Sequence, residues 1–291
     1  MLPLSYLGYL ARLTSVIKLL GWGAVMLYAL VVVLSMLLCC TAGAQSSYQV
    51  VQVNDGGTIS GTVRWSGPKP PALTYPITKD PQICDPESQK RTDLGRLLVG
   101  PEDGVANTVV YLKDIYRGKA MVLPENRRFL DQRHCRYEPH IVLVPEGDEL
   151  QMKSSDATLH TIHMEGAATY NLPFPFPNQV VSRKMGSAGL ATLKCNGGHV
   201  WMNAEMFVAS HPYYAVTDES GRFELTDVPA GQYEIVAWHE GWKLVRNEVT
   251  HDVLSQQAVR RPVFSEPRTW EKKVSVATKQ TVHVDFVISE K

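Results

Sequence analysis

The chain has 291 residues, 44% of them hydrophobic and 20% charged, with 29 Lys+Arg against 29 Asp+Glu. This is the composition of a foldable globular chain and excludes the disordered and collagen-like classes. With no basic excess to hold a phosphate backbone, nucleic acid is not an expected partner.

The first 44 residues carry two charges, Arg12 and Lys18, and residues 19–40 carry none. Ala42-Gly43-Ala44 follows, the small-x-small pattern that signal peptidase accepts, which would make Gln45 the new N-terminus. The apolar run is longer than a usual signal core and long enough to span a bilayer, so residues 1–44 read as a signal peptide or a membrane anchor. Leu38 and Cys39 are not the small residues expected before a lipidated cysteine, which weakens a lipoprotein reading through Cys39 or Cys40. In either main reading the positive flank stays in the cytoplasm and the rest is exported, to the periplasm or another extracytoplasmic space. Beyond Ala44 the chain has 27 basic and 29 acidic side chains, a net charge of −2. Its length allows one large domain or two small ones. Three cysteines remain there, Cys84, Cys135 and Cys195, and outside the cytoplasm two should pair.

Strand patterns dominate the exported part. Residues 58–65 alternate polar and apolar until Pro68, Pro70 and Pro71 stop them. Residues 108–112, 141–144, 150–153 and 190–195 follow as strand candidates, each bounded by Gly, Pro or Asp. Residues 213–217, 222–225 and 232–238 are separated by Asp218-Glu219-Ser220-Gly221 and Val228-Pro229-Ala230-Gly231, both turn chemistry. Residues 281–288 put Val282, Val284, Phe286 and Ile288 on one face. No helical period persists over three turns after Ala44. The Pro-Phe-Pro-Phe-Pro run at 173–177 and the charged run at 244–271 stay unplaced. The expected class is all-β, one sandwich or two.

One cluster carries chemistry. Lys194-Cys195-Asn196-Gly197-Gly198-His199-Val200-Trp201-Met202 places Cys, His and Met close together at the end of a predicted strand. Gly197 and Gly198 permit the turn that folds His199 back toward Cys195. His160 lies upstream in Asp156-Ala157-Thr158-Leu159-His160-Thr161-Ile162-His163. One thiolate, two imidazoles and a weak axial thioether form the ligand set of a blue-copper site. Zinc competes through Cys and His, but Met is a poor zinc ligand. A dinuclear copper–thiolate centre would need a second Cys in the loop. His163, three residues from His160, faces the other way in a strand and is the alternative upstream ligand. His140, His211 and His239 have no Cys or Met neighbour and read as structural.

On these motifs the segment from about 132 to 212 resembles a cupredoxin, in particular exported bacterial forms with a Cys-x-x-Gly-His-x-Trp-Met loop followed by His211-Pro212-Tyr213-Tyr214. The resemblance implies a Greek-key sandwich holding one type 1 copper through His160, Cys195, His199 and Met202. The family often has Asn after the first His; this chain has Thr161. With Cys195 taken as a ligand under this resemblance, Cys84 and Cys135 are left to pair, closing a loop that stabilises by roughly 4 kcal/mol in the chain-entropy model.

The stretch Thr217-Asp218-Glu219-Ser220-Gly221-Arg222-Phe223, continued by Pro229-Ala230-Gly231-Gln232-Tyr233, looks like the carboxypeptidase-regulatory-like (transthyretin-like) β-sandwich. Gly57-Thr58-Ile59-Ser60-Gly61-Thr62-Val63 is similar to that family's opening strand, and residues 107–113 to its second. The expected order is a split sandwich at 55–127 and 213–291, with the copper domain, 128–212, nested between; simple tandem is the alternative.

The expectation is an exported one-electron carrier serving a redox protein partner, with possible membrane association through residues 19–40. Electrons would leave through His199 if its edge reaches the surface. No Ser-His-Asp set, phosphate loop or paired-carboxylate motif stands out, and a multicopper oxidase would need His-x-His pairs, so a freestanding enzyme is not expected. The rivals are a copper chaperone or storage protein with an exchangeable site, and a carbohydrate- or protein-binding β-sandwich module with a structural metal. In that module Trp201, Trp238, Trp242 and Trp270 would stack on sugar rings, although aromatics in a β core are the commoner use.

Overall fold

The computed structural model describes residues 48–122 and 129–290; the expected signal or anchor lies outside them. Among the described residues no helix is long and apolar enough to cross a membrane. Among the described residues helix is confined to two short turns, Pro81–Cys84 and Pro101–Asp103, and the fold is all-β.

Two sandwiches share the chain. In the first, one sheet runs Val180–Lys184, Glu149–Ser154, Phe129–Arg133, Arg136–Glu138 in hydrogen-bonding order. Facing it, the second sheet runs Tyr170–Phe174, His160–Gly166, Gly189–Lys194, Asn203–Ala209, Ile141–Pro145. Period-2 alternation sends Leu130, Leu150 and Met152 from one sheet, and Val142, Val144, Ile162, Met164 and Leu193 from the other, into one core.

The second sandwich has a sheet ordered Tyr214–Val216, Val109–Lys113, Gly231–His239, Arg268–Val276. Its other sheet centres on Gly57–Ser66, flanked by Arg222–Val228 on one side and by Thr281–His283 and Phe286–Ser289 on the other. Strands from both sides of the first sandwich in sequence thus hydrogen-bond to one another. Residues 281–288 form two strands rather than one, because at Asp285 a side chain replaces the ladder: its Oδ1 accepts from Thr62 N and Thr62 Oγ1, both at 2.8 Å. Gly61 allows this close approach, since a Cβ there would lie 1.8 Å from the Val284 carbonyl oxygen.

The sheet that ends in Ile141–Pro145 is covered on both faces. Val142 and Val144 point into the first core, whereas Ile141 and Leu143 join Phe207, Ala209, Val109 and Trp238 in a separate buried cluster against the second sandwich. Trp201, Trp238 and Trp242 are buried, so they serve the cores and offer no sugar platform.

Two segments of the expected split sandwich pack on the first sandwich instead. Tyr75, Cys84 and Leu94 are buried in its core, carried by the Thr74–Pro76/Arg91–Asp93 hairpin and the turn between. The run left unplaced at 244–271 forms a second hairpin, Leu244–His251/Ala258–Phe264, whose Val259 and Phe264 pack on the same core, and enters Arg268–Val276. Its first strand is exposed along nearly its whole length, so it shows no alternation to read.

Between the sandwiches lies a buried ionic cluster. Arg96 Nη2 meets Glu240 Oε2 at 2.7 Å, Arg96 Nη1 donates to Asn203 Oδ1 at 2.8 Å, and His140 Nε2 contacts the other Glu240 oxygen. Glu205, also buried, takes a hydrogen bond from Thr192 Oγ1 at 3.0 Å; burial first, and the Glu240 charge second, push its carboxyl up to about 7. A carboxyl raised in the folded state binds a proton that the unfolded chain releases above its ordinary value. Its contribution is therefore full at acidic pH and is lost as pH rises from about 4.5 to about 7. Glu205→Gln removes that dependence: in urea melts the variant gains on wild type across this window, by on the order of 3 kcal/mol at pH 8.

Candidate metal centre

Adjacent antiparallel strands bring the predicted ligands to one end of the sheet. His163 pairs with Lys194, so His160 at the start of its strand lies beside Cys195 just past the end of the next. The loop from Cys195 to Met202 then returns to Asn203, which pairs back with Lys194. Gly198 adopts φ +88°, the left-handed conformation that lets this loop turn, and the Met202 N–H closes it on the His199 carbonyl at 3.0 Å.

Three donors converge. The two Nδ1 atoms of His160 and His199 lie 3.2 Å apart, Cys195 Sγ is 4.0 Å from His199 Nδ1, and one donor atom from each of the three residues fits within a 4.8 Å cluster. Nitrogens at that separation can both reach a metal at about 2.0 Å. Met202 is buried in the same core as Cys195. Cys195 Sγ also takes the Thr161 N–H at 3.5 Å and its hydroxyl at 3.8 Å, while Thr161 Oγ1 accepts the Asn196 N–H at 2.7 Å. Thr161 thus ties the two ligand loops together from the position where the resembled family often has Asn.

Each imidazole has a carboxylate behind it. His160 Nε2 lies 2.9 Å from Asp156 Oδ2, and His199 Nε2 lies 3.1 Å from Asp80 Oδ2. A carboxylate only accepts, so both Nε2 atoms carry protons and both Nδ1 lone pairs face inward. At 3.2 Å two such lone pairs oppose each other, and a proton between them relieves the repulsion. Burial pulls His160 down, but its bonds to Asp156 and Cys195 and their charges outweigh this and raise it to about 9. Burial likewise opposes ionisation of Cys195, yet His160 and His199 hold its thiol well below the ordinary value. Asp156 stays below the usual carboxyl range against its own burial, through the His160 ring and the backbone N–H groups of Cys135 and His134.

The centre is roofed by both appended segments. His160, Cys195 and His199 have no solvent exposure, so the expected surface edge of His199 is absent: Asp80 stands against its ring nitrogen. Arg261 of the second hairpin donates to the Cys195 carbonyl at 2.7 Å and to Asn196 Oδ1 at 3.2 Å, and the Val253 N–H reaches the Asn196 carbonyl at 3.2 Å. Lys79 bridges from the first segment to Asp252 of the second at 2.5 Å.

Of the predicted residues, the structure brings His160, Cys195 and His199 together and buries Met202 in the same core. His163 points away and meets Glu165 Oε1 at 2.9 Å. Cys84 and Cys135 form a disulfide. Asp80, Asp156 and Arg261 escaped the sequence reading. Asp156, four residues before His160, carried the only local signal.

A family model described as BOS complex subunit NOMO1-like, second beta sandwich domain, matches residues 208–262. No curated protein is significantly similar to the chain. Among solved structures, a purple cupredoxin from Nitrosopumilus maritimus is similar at 15% identity over 28% of this chain and 98% of its own, with a TM-score of 0.25. A reduced amicyanin variant is similar at 22% identity over 30% of this chain and 86% of its own, TM-score 0.27. A copper-containing nitrite reductase from Thermus scotoductus SA-01 is similar at 14% identity over 31% of this chain and 23% of its own, TM-score 0.27.

The loop glycines differ in what they tolerate. A Cβ on Gly198 would meet Asp252 Oδ2 at 2.6 Å and Lys79 Cδ at 2.8 Å in a left-handed backbone, whereas on Gly197 the nearest atoms lie at 3.3 and 3.5 Å. Gly198→Ala is expected to destabilise the protein by about 1–3 kcal/mol in denaturant melts, and Gly197→Ala by much less.

Proposed function

We propose that the protein is an exported mononuclear copper protein whose type 1 site carries single electrons between redox proteins. The carrying observation is the donor set: two imidazole Nδ1 atoms and one cysteine Sγ, all facing one buried point. Soft sulfur with two nitrogens suits both copper oxidation states, and a thioether as weak axial ligand tunes between them. His160, Cys195 and His199 would hold the metal, with Met202 in the axial role. When bound, copper supplies a one-electron couple.

The chain's own residues do the rest. Asp156 and Asp80 keep the ring protons on Nε2, Thr161 N–H steadies the sulfur, and the roofing segments exclude water. A donor set held this firmly changes little between oxidation states, which keeps the reorganisation cost of electron transfer low. Full burial favours a carrier over a chaperone, because handing over a metal requires ligands that a partner can reach. The Cys84–Cys135 disulfide supports an oxidising, extracytoplasmic compartment.

A visible absorption spectrum with Cu(II) tests the assignment. Wild type should show an intense charge-transfer band that Cys195→Ser abolishes and Met202→Leu shifts. Absence of the band in protein shown by mass spectrometry to carry a free, reduced Cys195 would overturn the assignment.

A further inference from the structure

Both imidazoles lean on carboxylates, and both carboxylates hang on one covalent link. Asp80 occupies a left-handed conformation, φ 46° and ψ 48°, at the head of the Pro81–Cys84 turn. Its backbone carbonyl takes the N–H groups of Ile83 and Cys84, both at 2.9 Å, so the turn that places the carboxylate ends in the half-cystine. Across the disulfide, the Cys135 N–H donates to Asp156 Oδ2 at 2.8 Å, and the His134 N–H donates to Asp156 Oδ1 at 2.8 Å. The two sulfurs lie within 4.8 Å of a His199 ring nitrogen. A chain of short contacts therefore runs from His199 through Asp80, the turn and the disulfide to Asp156 and His160.

Asp80 belongs to neither sheet of the sandwich that supplies the ligands; it arrives on the segment roofing them. Thr158, two residues before His160, donates its hydroxyl to Asp80 Oδ2 at 2.6 Å, so the same oxygen faces both ligand loops. Carboxylates behind metal-bound imidazoles fix ring orientation and raise ligand basicity, and their loss typically costs 10- to 100-fold in metal affinity or activity. Here they would also place two negative charges close to the metal. Both effects favour the more highly charged oxidation state.

Building on the copper reading above, we propose that Asp80 and Asp156 are paired positioning residues that bias the centre toward Cu(II), and that the Cys84–Cys135 disulfide holds the pair in place. Asp80 is the more informative member, because its contact with His199 closes the side where an exposed ligand edge was expected.

The test uses the copper-loaded protein at one fixed pH. In Asp80→Asn, which keeps the shape and removes the charge, the Cu(I)/Cu(II) ratio at a given applied potential should rise about tenfold, equivalent to 59 mV for a one-electron couple. Asp156→Asn should move it the same way, and the Cys84→Ser/Cys135→Ser double variant should shift the ratio in that direction too. In metal-free protein, nitrogen-15 spectra should show a slowly exchanging His199 Nε2–H that Asp80→Ala loses. A ratio unmoved in Asp80→Asn, with the charge-transfer band intact, overturns the inference and leaves the copper assignment standing. A wild-type protein with no band overturns the assignment itself, while the metal-free spectra still report whether Asp80 holds His199. A double variant with wild-type ratio and wild-type His199 exchange removes the disulfide from the proposal.

Discussion

Everything in this protein hangs on one sheet that is buried twice. In Ile141–Pro145 every side chain is covered, because alternate residues belong to different cores: Val142 and Val144 to the sandwich that carries the cysteine loop, Ile141 and Leu143 to the contact with its neighbour. Asn203–Ala209, beside it, divides in the same way, with Met206 and Val208 on one side and Phe207 and Ala209 on the other. A register slip of one residue would exchange these sets, setting the rings of Phe207 and Trp238 against positions shaped for valine and methionine. The loop from Cys195 to Met202 grows from the end of this twice-buried sheet, which is why its donors sit on a rigid base.

The candidate site was legible where its members crowd together in sequence. Cys195, His199 and Met202 share one loop, and only a short list of metals asks for those three residue types at once. His160 needed the fold as well, since only strand pairing sets it beside Cys195. Asp80 was illegible for a physical reason. A carboxylate behind an imidazole imposes no spacing on the chain, and this one arrives on an irregular segment that shares neither sheet with its partner. The second hairpin hid for a related reason: Val245 and Val249 face outward, so its strands lack the one-sided pattern that a sheet over a core displays. The double strand near the C-terminus was read as one because Val282, Val284, Phe286 and Ile288 keep their alternation through the break at Asp285. Thr161 shows the reverse case, a departure from a familiar pattern that the fold absorbs with a hydroxyl.

Enclosure gives the centre its chemical character. A thiol held well below its ordinary value and an imidazole held above its own amount to opposite charges stored out of contact with solvent. Their mutual attraction, with the hydrogen bond from His160 to Asp156 and the one from Thr161 to Cys195, compensates for the cost of burying them. The same donor groups on an open surface would be solvated, mobile and open to oxidation. Here Arg261 and Lys79 close the roof with contacts to the cysteine loop and to Asp252, so no ring edge of the centre is exposed.

The central strand of the outer sandwich has a consequence for assembly. Gly57–Ser66 is made early, yet Thr62 pairs with Arg222, and its other edge waits for Thr281 and Phe286 near the end of the chain. Both closures span the whole intervening sandwich, and their entropic cost falls once that sandwich has folded and brought its two ends together. Synthesis from the N-terminus therefore leaves this strand with both edges unpaired until residues 222–228 are made, and with one edge unpaired until residues 281–289 follow, an arrangement exposed to wrong pairing with a second copy. A chain built in this order depends on its inner module folding first.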